Sequence, residues 1–203
     1  EGNGSGDEVP VQLLVKANNG STSTQGLYGS AGSTSVDNTI TLGASSSSGV
    51  KVDSYGHVTK PLQPAFYAEI AGGNQDNIAI DTAVTVLLNS EAFDIGSDFN
   101  TGTYTFTAPA SGKYHFSVKL ECNNVDAAAS YYQVKLSTSN KAIYLGSWAF
   151  NGYSADATYF ALSGSCTCDM DASDTASVEI TQGGGTAQTD LNNGTYMTGH
   201  LVC

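Results

Sequence analysis

Between Thr101 and Leu120 the chain reads TGTYTFTAPASGKYHFSVKL, and its alternation leaves little freedom in how it folds. With a period of two, Tyr104, Phe106 and Ala108 fall on one face and Thr103, Thr105 and Thr107 on the other, the pattern of a strand with one side in a core. Pro109 has no amide hydrogen to give to a ladder, and Gly112 tolerates backbone angles that other residues avoid. The Ala108–Gly112 segment is therefore expected to connect two strands. Beyond it Tyr114, Phe116, Val118 and Leu120 alternate inward while His115, Ser117, Lys119 and Glu121 alternate outward. Two consecutive strands with four aromatic side chains on the inner face predict the middle of a β-sandwich or barrel.

The rest of the composition agrees with an all-β chain. Its 203 residues include 23 Gly and 11 Tyr, and only 13% are charged. Length allows a domain of about 140 residues with an appendage in front of it. The formal charge is -12, and all seven basic residues are lysines. A nucleic-acid partner is not expected, because phosphate binding needs clustered Lys and Arg to displace counterions. An anionic membrane surface is disfavoured for the same reason. No apolar run approaches the roughly 20 residues that span a bilayer, so no membrane insertion is expected. The chain begins at Glu1 without a methionine, as a processed product or fragment would.

In chain order, residues 1–35 read as an attachment or linker segment: a Gly- and acid-rich start, a short apolar stretch at Val9–Lys16, then small polar residues. Residues 36–62 hold two sparse β-like pieces, DNTITLGA and GVKVDSYGHVTK, readable either as a short shaft in which copies intertwine or as a linker. Residues 63–203 form the expected head. Apolar alternation marks strands at Ala65–Ala71, Tyr131–Ser137, Ala142–Phe150, Thr158–Leu162, Ala176–Thr181 and Tyr196–Val202. Phe93, Ile95 and Phe99 read as a loop. With the two central strands the total is about eight to ten, the range of a jelly roll or related sandwich.

The order of these motifs resembles the C1q-like heads of the C1q and tumour necrosis factor superfamily. Ala65-Phe66-Tyr67-Ala68 looks like the family's opening Ala-Phe-Ser-Ala. Phe99 to Pro109, FNTGTYTFTAP, resembles its Tyr-Asp-x-x-Thr-Gly-x-Phe-Thr-Ala-Pro signature, and Gly112-Lys113-Tyr114-His115-Phe116-Ser117 follows as Gly-x-Tyr-x-Phe-Ser does. Asp174–Val178 stands where the family has Gly-Asp-x-Val, with Ser173 in place of the glycine. Tyr196–Leu201 resembles the closing Phe-Ser-Gly-x-Leu strand. The resemblance spans about Pro64 to Cys203. It implies an all-β, ten-stranded C1q/TNF-like jelly-roll sandwich that assembles as a homotrimer. The Gly-X-Y collagen stalk of the animal proteins is missing, and GVKVDSYGHVTKPLQPAF resembles the shaft-to-head junction of bacteriophage fibre and appendage proteins, particularly of marine phages. That second resemblance implies a virion-surface protein held to other virion proteins by its N-terminal segment, with a head that binds a host surface glycan or protein. A capsid or vertex decoration protein that stabilises the shell, and a secreted C1q-like binding protein of a cellular organism, are the alternative readings.

Catalytic patterns are missing from the sequence. His57, His115 and His200 lack motif-level partners, and there is no G-x-S-x-G, H-E-x-x-H or Gly-rich phosphate loop, so no enzyme is expected. Asp169, Asp171 and Asp174 offer hard oxygen ligands that suit Ca2+, but the glycine and distal glutamate of a 12-residue calcium loop are missing, and an Asx-rich turn accounts for the same residues. Cys122, Cys166, Cys168 and Cys203 allow several pairings or none. Asn3, Asn19 and Asn193 begin N-x-S/T sequons, which matter only in a eukaryotic secretory pathway. Tyr144, Trp148 and Tyr153 are the candidate receptor-binding residues, since exposed aromatic rings stack on sugars; Trp148 reads equally as a core or interface filler.

Overall fold

The computed structural model describes residues 28–30, 39–42, 49–53 and 55–203. The proposed strand at Val9–Lys16 lies outside them. The described part of the chain before residue 63 is one unit and Gln63–Cys203 is a second. In the first, β1 (Tyr28–Ser30), β2 (Thr39–Leu42), β3 (Val50–Val52) and β4 (Val58–Thr59) pair in sequence order as an antiparallel sheet within one chain. The β3–β4 turn is held by Asp53, whose carboxylate accepts from the Tyr55 and His57 amides and meets His57 Nδ1 at 2.8 Å. Gly56 supplies the left-handed angle that this turn needs, φ 84°.

The second unit is a sandwich of two antiparallel sheets. Its strands are β5 (Ala65–Glu69), β6 (Ala83–Thr85), β7 (Ser90–Ile95), β8 (Phe99–Asn100), β9 (Thr105–Thr107), β10 (Gly112–Val125), β11 (Tyr131–Thr138), β12 (Ala142–Trp148), β13 (Ala157–Met170), β14 (Thr175–Gly183), β15 (Asp190–Leu191) and β16 (Tyr196–Leu201). One sheet runs β13-β10-β16-β5-β7, with β15 added beside β10. The other runs β12-β11-β14-β9-β8, with β6 added beside β14. Two paths of five give the ten strands expected, and the two short additions lie off them. No helix of the described residues is long and apolar enough to cross a membrane.

Alternation drives the packing. Along β10 Tyr114, Phe116, Val118, Leu120 and Cys122 are buried, and on β11 and β14 Tyr132, Val134, Leu136, Val178 and Ile180 face them from the other sheet. Aromatic rings fill one end of the core: Phe66 lies 5.0 Å from both Phe99 and Phe106, and Phe106 lies 5.4 Å from Tyr114. Such offset and tilted pairs add to the apolar area that each ring buries. Gly199 of β16 makes this possible, because a Cβ there would come within 2.5 Å of Phe66 and 2.8 Å of Phe116.

Three sequence expectations are corrected. Tyr104 is not part of the inward face: it sits in a turn at φ 59°, and the strand begins at Thr105. Three rather than four aromatic side chains of Thr101–Leu120 are therefore buried, Phe106, Tyr114 and Phe116. The segment holding Phe93 and Ile95 is the edge strand β7, not a loop, because its backbone pairs with β5. β13 is 14 residues long, since its small Ser, Thr and Gly residues, weak as a sequence signal, pair with β10 from end to end.

Candidate binding surfaces

β12 carries two of the three predicted aromatic residues, and strict alternation would put Tyr144 and Trp148 on one face. The structure separates them. Across the ladder Trp148 is opposite Tyr132, Ser147 opposite Gln133 and Gly146 opposite Val134, after which the register shifts and Tyr144 stands opposite Lys135. Leu145 is the extra residue of a β-bulge, which inverts the alternation downstream of it. Trp148 therefore packs against the core beside buried Tyr132, with its ring folded over Gly146, where a Cβ would meet Cη2 at 2.4 Å. Tyr144 is 63% exposed on the outer face. Leu145 itself meets Gly164 of β13, where an added Cβ would fall 2.8 Å from the leucine Cβ. At Leu145, β12 thus packs against the other sheet.

Tyr153, 54% exposed, belongs to the connection between β12 and β13. Phe150 anchors that connection: it is buried, lies edge-on to Tyr132 at 5.1 Å and to Phe160 at 4.8 Å, and stacks on Tyr153 at 5.3 Å. The Tyr153 amide closes the turn on the Phe150 carbonyl at 2.9 Å. Asp156 ties the same loop to the β10–β11 turn by accepting from the Ala127 amide at 2.9 Å.

That turn rests on a buried polar knot. Asp126 is 1% exposed, and its carboxylate accepts from the amides of Ala128 at 2.7 Å, Ala187 at 2.8 Å and Thr186. Burial opposes the charge, but the Ala187, Thr186 and Ala128 amides outweigh it and hold the carboxyl below its usual range. The Asp126 amide donates to the Tyr132 hydroxyl, which bonds Thr189 Oγ1 at 2.6 Å, and Gln182 bridges the Thr189 amide to the Ala187 carbonyl. Gly185, at φ 109°, leaves room for this: a Cβ there would lie 2.5 Å from Asp126 Oδ2. Nothing in the spacing of these residues marks them as a unit.

The Asp169–Asp174 segment does not fit a calcium loop. The Asp174 carboxylate accepts from Ser139 Oγ at 2.7 Å, Asn140 Nδ2 at 2.5 Å and the Asp171 amide at 2.7 Å, and the Ser139 bond leads the causes that lower its pKa. Asp169 meets Lys113 at 3.3 Å. Ser173 turns the chain at φ 77°. This is the geometry of an Asx-stabilised turn.

A second surface escaped the sequence reading. On the outer face of the β13-β10-β16-β5-β7 sheet Tyr67 stacks on Tyr196 at 5.1 Å and meets Phe93, which is 50% exposed, at 6.4 Å. Tyr159, 66% exposed, stands on the same face. Both lysines here have acidic partners, Lys113 with Asp169 and Lys119 with Glu121 at 2.6 Å, and Glu69 stands opposite Tyr196 on the same face. Burial first, then Glu69 and Tyr196, push the Tyr67 hydroxyl pKa up. Tyr67 and Tyr196 are the outward members of period-two strands, so the signal was available; Phe93 was hidden by its assignment to a loop.

All four cysteines are free. Burial raises the thiol pKa to about 12 at Cys122 and about 11 at Cys168, and Cys203 is exposed.

No family model matches the chain, and no curated protein matches it. Solved structures do. The globular domain of zebrafish complement 1qA protein superposes with a TM-score of 0.52 at 17% identity, covering 70% of this chain and 98% of that one. Eiger TNF from S. frugiperda gives 0.52 at 14% identity, covering 70% and 92%. At such identities the likeness is one of fold, and in fold the chain is an all-β C1q/TNF-like jelly-roll sandwich with a β-rich N-terminal segment.

Proposed function

We propose that the chain is a non-enzymatic, homotrimeric binding protein of a virion surface, a fibre or appendage. Its N-terminal segment joins it to other virion proteins and its jelly-roll head engages a host surface glycan or protein. One observation carries the assembly: the aromatic outer face built from Tyr67, Phe93, Tyr196 and Tyr159, on which both lysines are paired with acids. Exposed rings in one patch are what interfaces use, and pairing of the lysines leaves the aromatic patch free of unpaired cations. The virion assignment leans on the resemblance of the junction around residues 49–66 to phage fibres. Three equivalent heads raise avidity without any new contact in each site. Receptor contact falls to Tyr144 and Tyr153, the exposed aromatic side chains of the β12 edge and the following loop, while Trp148 supports them from inside.

Mass measurement of the purified chain in solution, by sedimentation or native mass spectrometry, is expected to give three copies. Tyr67→Ala with Phe93→Ser is expected to give folded monomers. A wild-type monomer at micromolar concentration removes the assembly. For the receptor, excess head is expected to compete with adsorption of the parent particle to its host, and Tyr144→Ala with Tyr153→Ala to compete poorly while remaining trimeric. Unchanged adsorption in the presence of excess wild-type head refutes the receptor role.

A further inference from the structure

The outer face of β10 and β16 holds two of the three histidines of the chain side by side. Register aligns Thr167, His115, His200 and Ala65 in one row across β13, β10, β16 and β5. The two imidazole centres are 5.6 Å apart, with the rings inclined at 52°. A metal–nitrogen bond of about 2.1 Å sets each ring centre about 3.2 Å from an ion, so two rings sharing one ion at a tetrahedral to trigonal angle stand about 5–5.6 Å apart. The observed spacing falls at the edge of that range.

The surroundings favour the same use. His115 Nδ1 lies 3.0 Å from Thr167 Oγ1. With Nδ1–H donating to that hydroxyl, the Nε2 lone pair is left for a metal, the division of labour ordinary in metal-binding histidines. Nε2 has only a long contact, 3.4 Å, to Ser117 Oγ. In the next row along the sheet the positions flanking the histidines, Ser165, Ser117 and Thr198, carry small hydroxyl side chains before the row reaches Tyr67, and Ala65 follows His200 in the histidine row. On the other side Lys113 is held by Asp169. Cys166 and Cys168 alternate toward the core side of β13, opposite Phe116 and Tyr114.

We propose that His115 and His200 bind one divalent transition-metal ion per chain, with water in the remaining positions. Two imidazoles without a converging carboxylate select the Cu2+, Ni2+ and Zn2+ class over Ca2+ or Mg2+, and Cu2+ binds tightest. The ion clamps β16 to β10. Because β16 also carries β5, and β5 carries β7, the clamp ties together the strands that bear the aromatic face. Binding to the folded chain alone raises its melting temperature.

The test is titration of the full chain with Cu2+ by calorimetry, with electron paramagnetic resonance of the one-equivalent sample. One ion per chain is expected, with coupling to two imidazole nitrogens and a higher melting temperature. His115→Gln and His200→Gln are each expected to weaken binding about 10-fold or more, as loss of one of two protein ligands should, and to abolish the thermal shift. Circular dichroism confirms that both variants fold, and Thr167→Val, which leaves both ligands in place, is expected to weaken binding to a lesser degree. His57→Ala and Cys203→Ser are expected to bind as the wild type does. Absence of binding by the wild type, undiminished binding in the His115 and His200 variants, or loss of binding in the His57 or Cys203 variant overturns the site. Because His115 and His200 share the outer face with Tyr67 and Tyr196, the titration is repeated on the Tyr67→Ala, Phe93→Ser protein, where one ion per chain with two coupled imidazole nitrogens is again expected and separates metal binding from assembly.

Discussion

Replacing Asp126 with alanine tests whether the buried polar knot holds the β10–β11 turn and the loops around it. The substitution removes the acceptor for the amides of Ala128, Thr186 and Ala187 and breaks nothing apolar. An amide left without a partner away from water costs about 1–3 kcal/mol. Thr186 and Ala187 are exposed residues, so water recovers part of their loss, whereas the space vacated by a side chain that is 1% exposed does not open to solvent freely. The sum is about 2–4 kcal/mol of stability. For a chain of this size that corresponds to a fall of roughly 5–12 °C in melting temperature. Asp126→Asn keeps one acceptor oxygen and turns an amino group toward an amide, so about half the loss is expected. The pH dependence has a defined sign. A carboxyl whose folded pKa is depressed contributes stability above its unfolded pKa, of about 3.9, and loses that contribution as pH falls through the folded value. The gap between wild type and Asp126→Ala is therefore widest near neutrality and narrows below about pH 4. Urea denaturation followed by circular dichroism at pH 7 and pH 3 reads both quantities. A loss under 0.5 kcal/mol at pH 7, which is about the scatter of ordinary surface substitutions, or a gap that is unchanged at pH 3, refutes the reasoning.

Three further outcomes are expected. Gly199→Ala places a Cβ among the buried rings of Phe66 and Phe116 and should destabilise by about 2–3 kcal/mol in the same denaturation assay, because an overpacked core must shift backbone or rotamers. Gly146→Leu occupies the space under the Trp148 ring and should turn that ring outward, read as a red shift and greater quenching by iodide of the fluorescence of the single tryptophan. In thiol titration Cys203 should react in the folded protein while Cys122 and Cys168 should react only on unfolding, since burial holds their thiols at about 12 and about 11 and out of reach.

Much of the fold was legible because it is written in local alternation. Phe106, Tyr114, Phe116, Val118 and Leu120 are buried as the period-two pattern requires, and the connection around Pro109 falls between β9 and β10. The failures share a cause. Tyr104 continues the alternation by composition, but its own left-handed backbone puts it in a turn and the strand begins only at Thr105. β13 has too few apolar residues to announce 14 residues of pairing; its partner β10 supplies the reason for it to be a strand. Phe93 is outward on an edge strand, where Glu91 and Asp94 interrupt the apolar residues and the segment reads as loop. The Asp126 knot joins positions 60 residues apart, a distance at which no spacing rule operates.

The bulge at Leu145 decides what the candidate residues can do. An unbroken strand would present Tyr144, Gly146 and Trp148 together on one face, a flat aromatic strip suited to stacking on a sugar. One extra residue sends the tryptophan into the core beside Tyr132 and leaves Tyr144 outside opposite Lys135. The same residue brings β12 against Gly164 of the other sheet. Trp148 and Tyr144 then carry separable burdens. Loss of Trp148 removes a side chain packed on the core and should lower stability, whereas loss of Tyr144, 63% exposed, should leave stability within about 0.5 kcal/mol and act only on what the outer face touches. A Tyr144→Ala variant that melts with the wild type yet loses adsorption competition would place the contact on this face. Equal destabilisation by the two substitutions would mean that the bulge does not separate them.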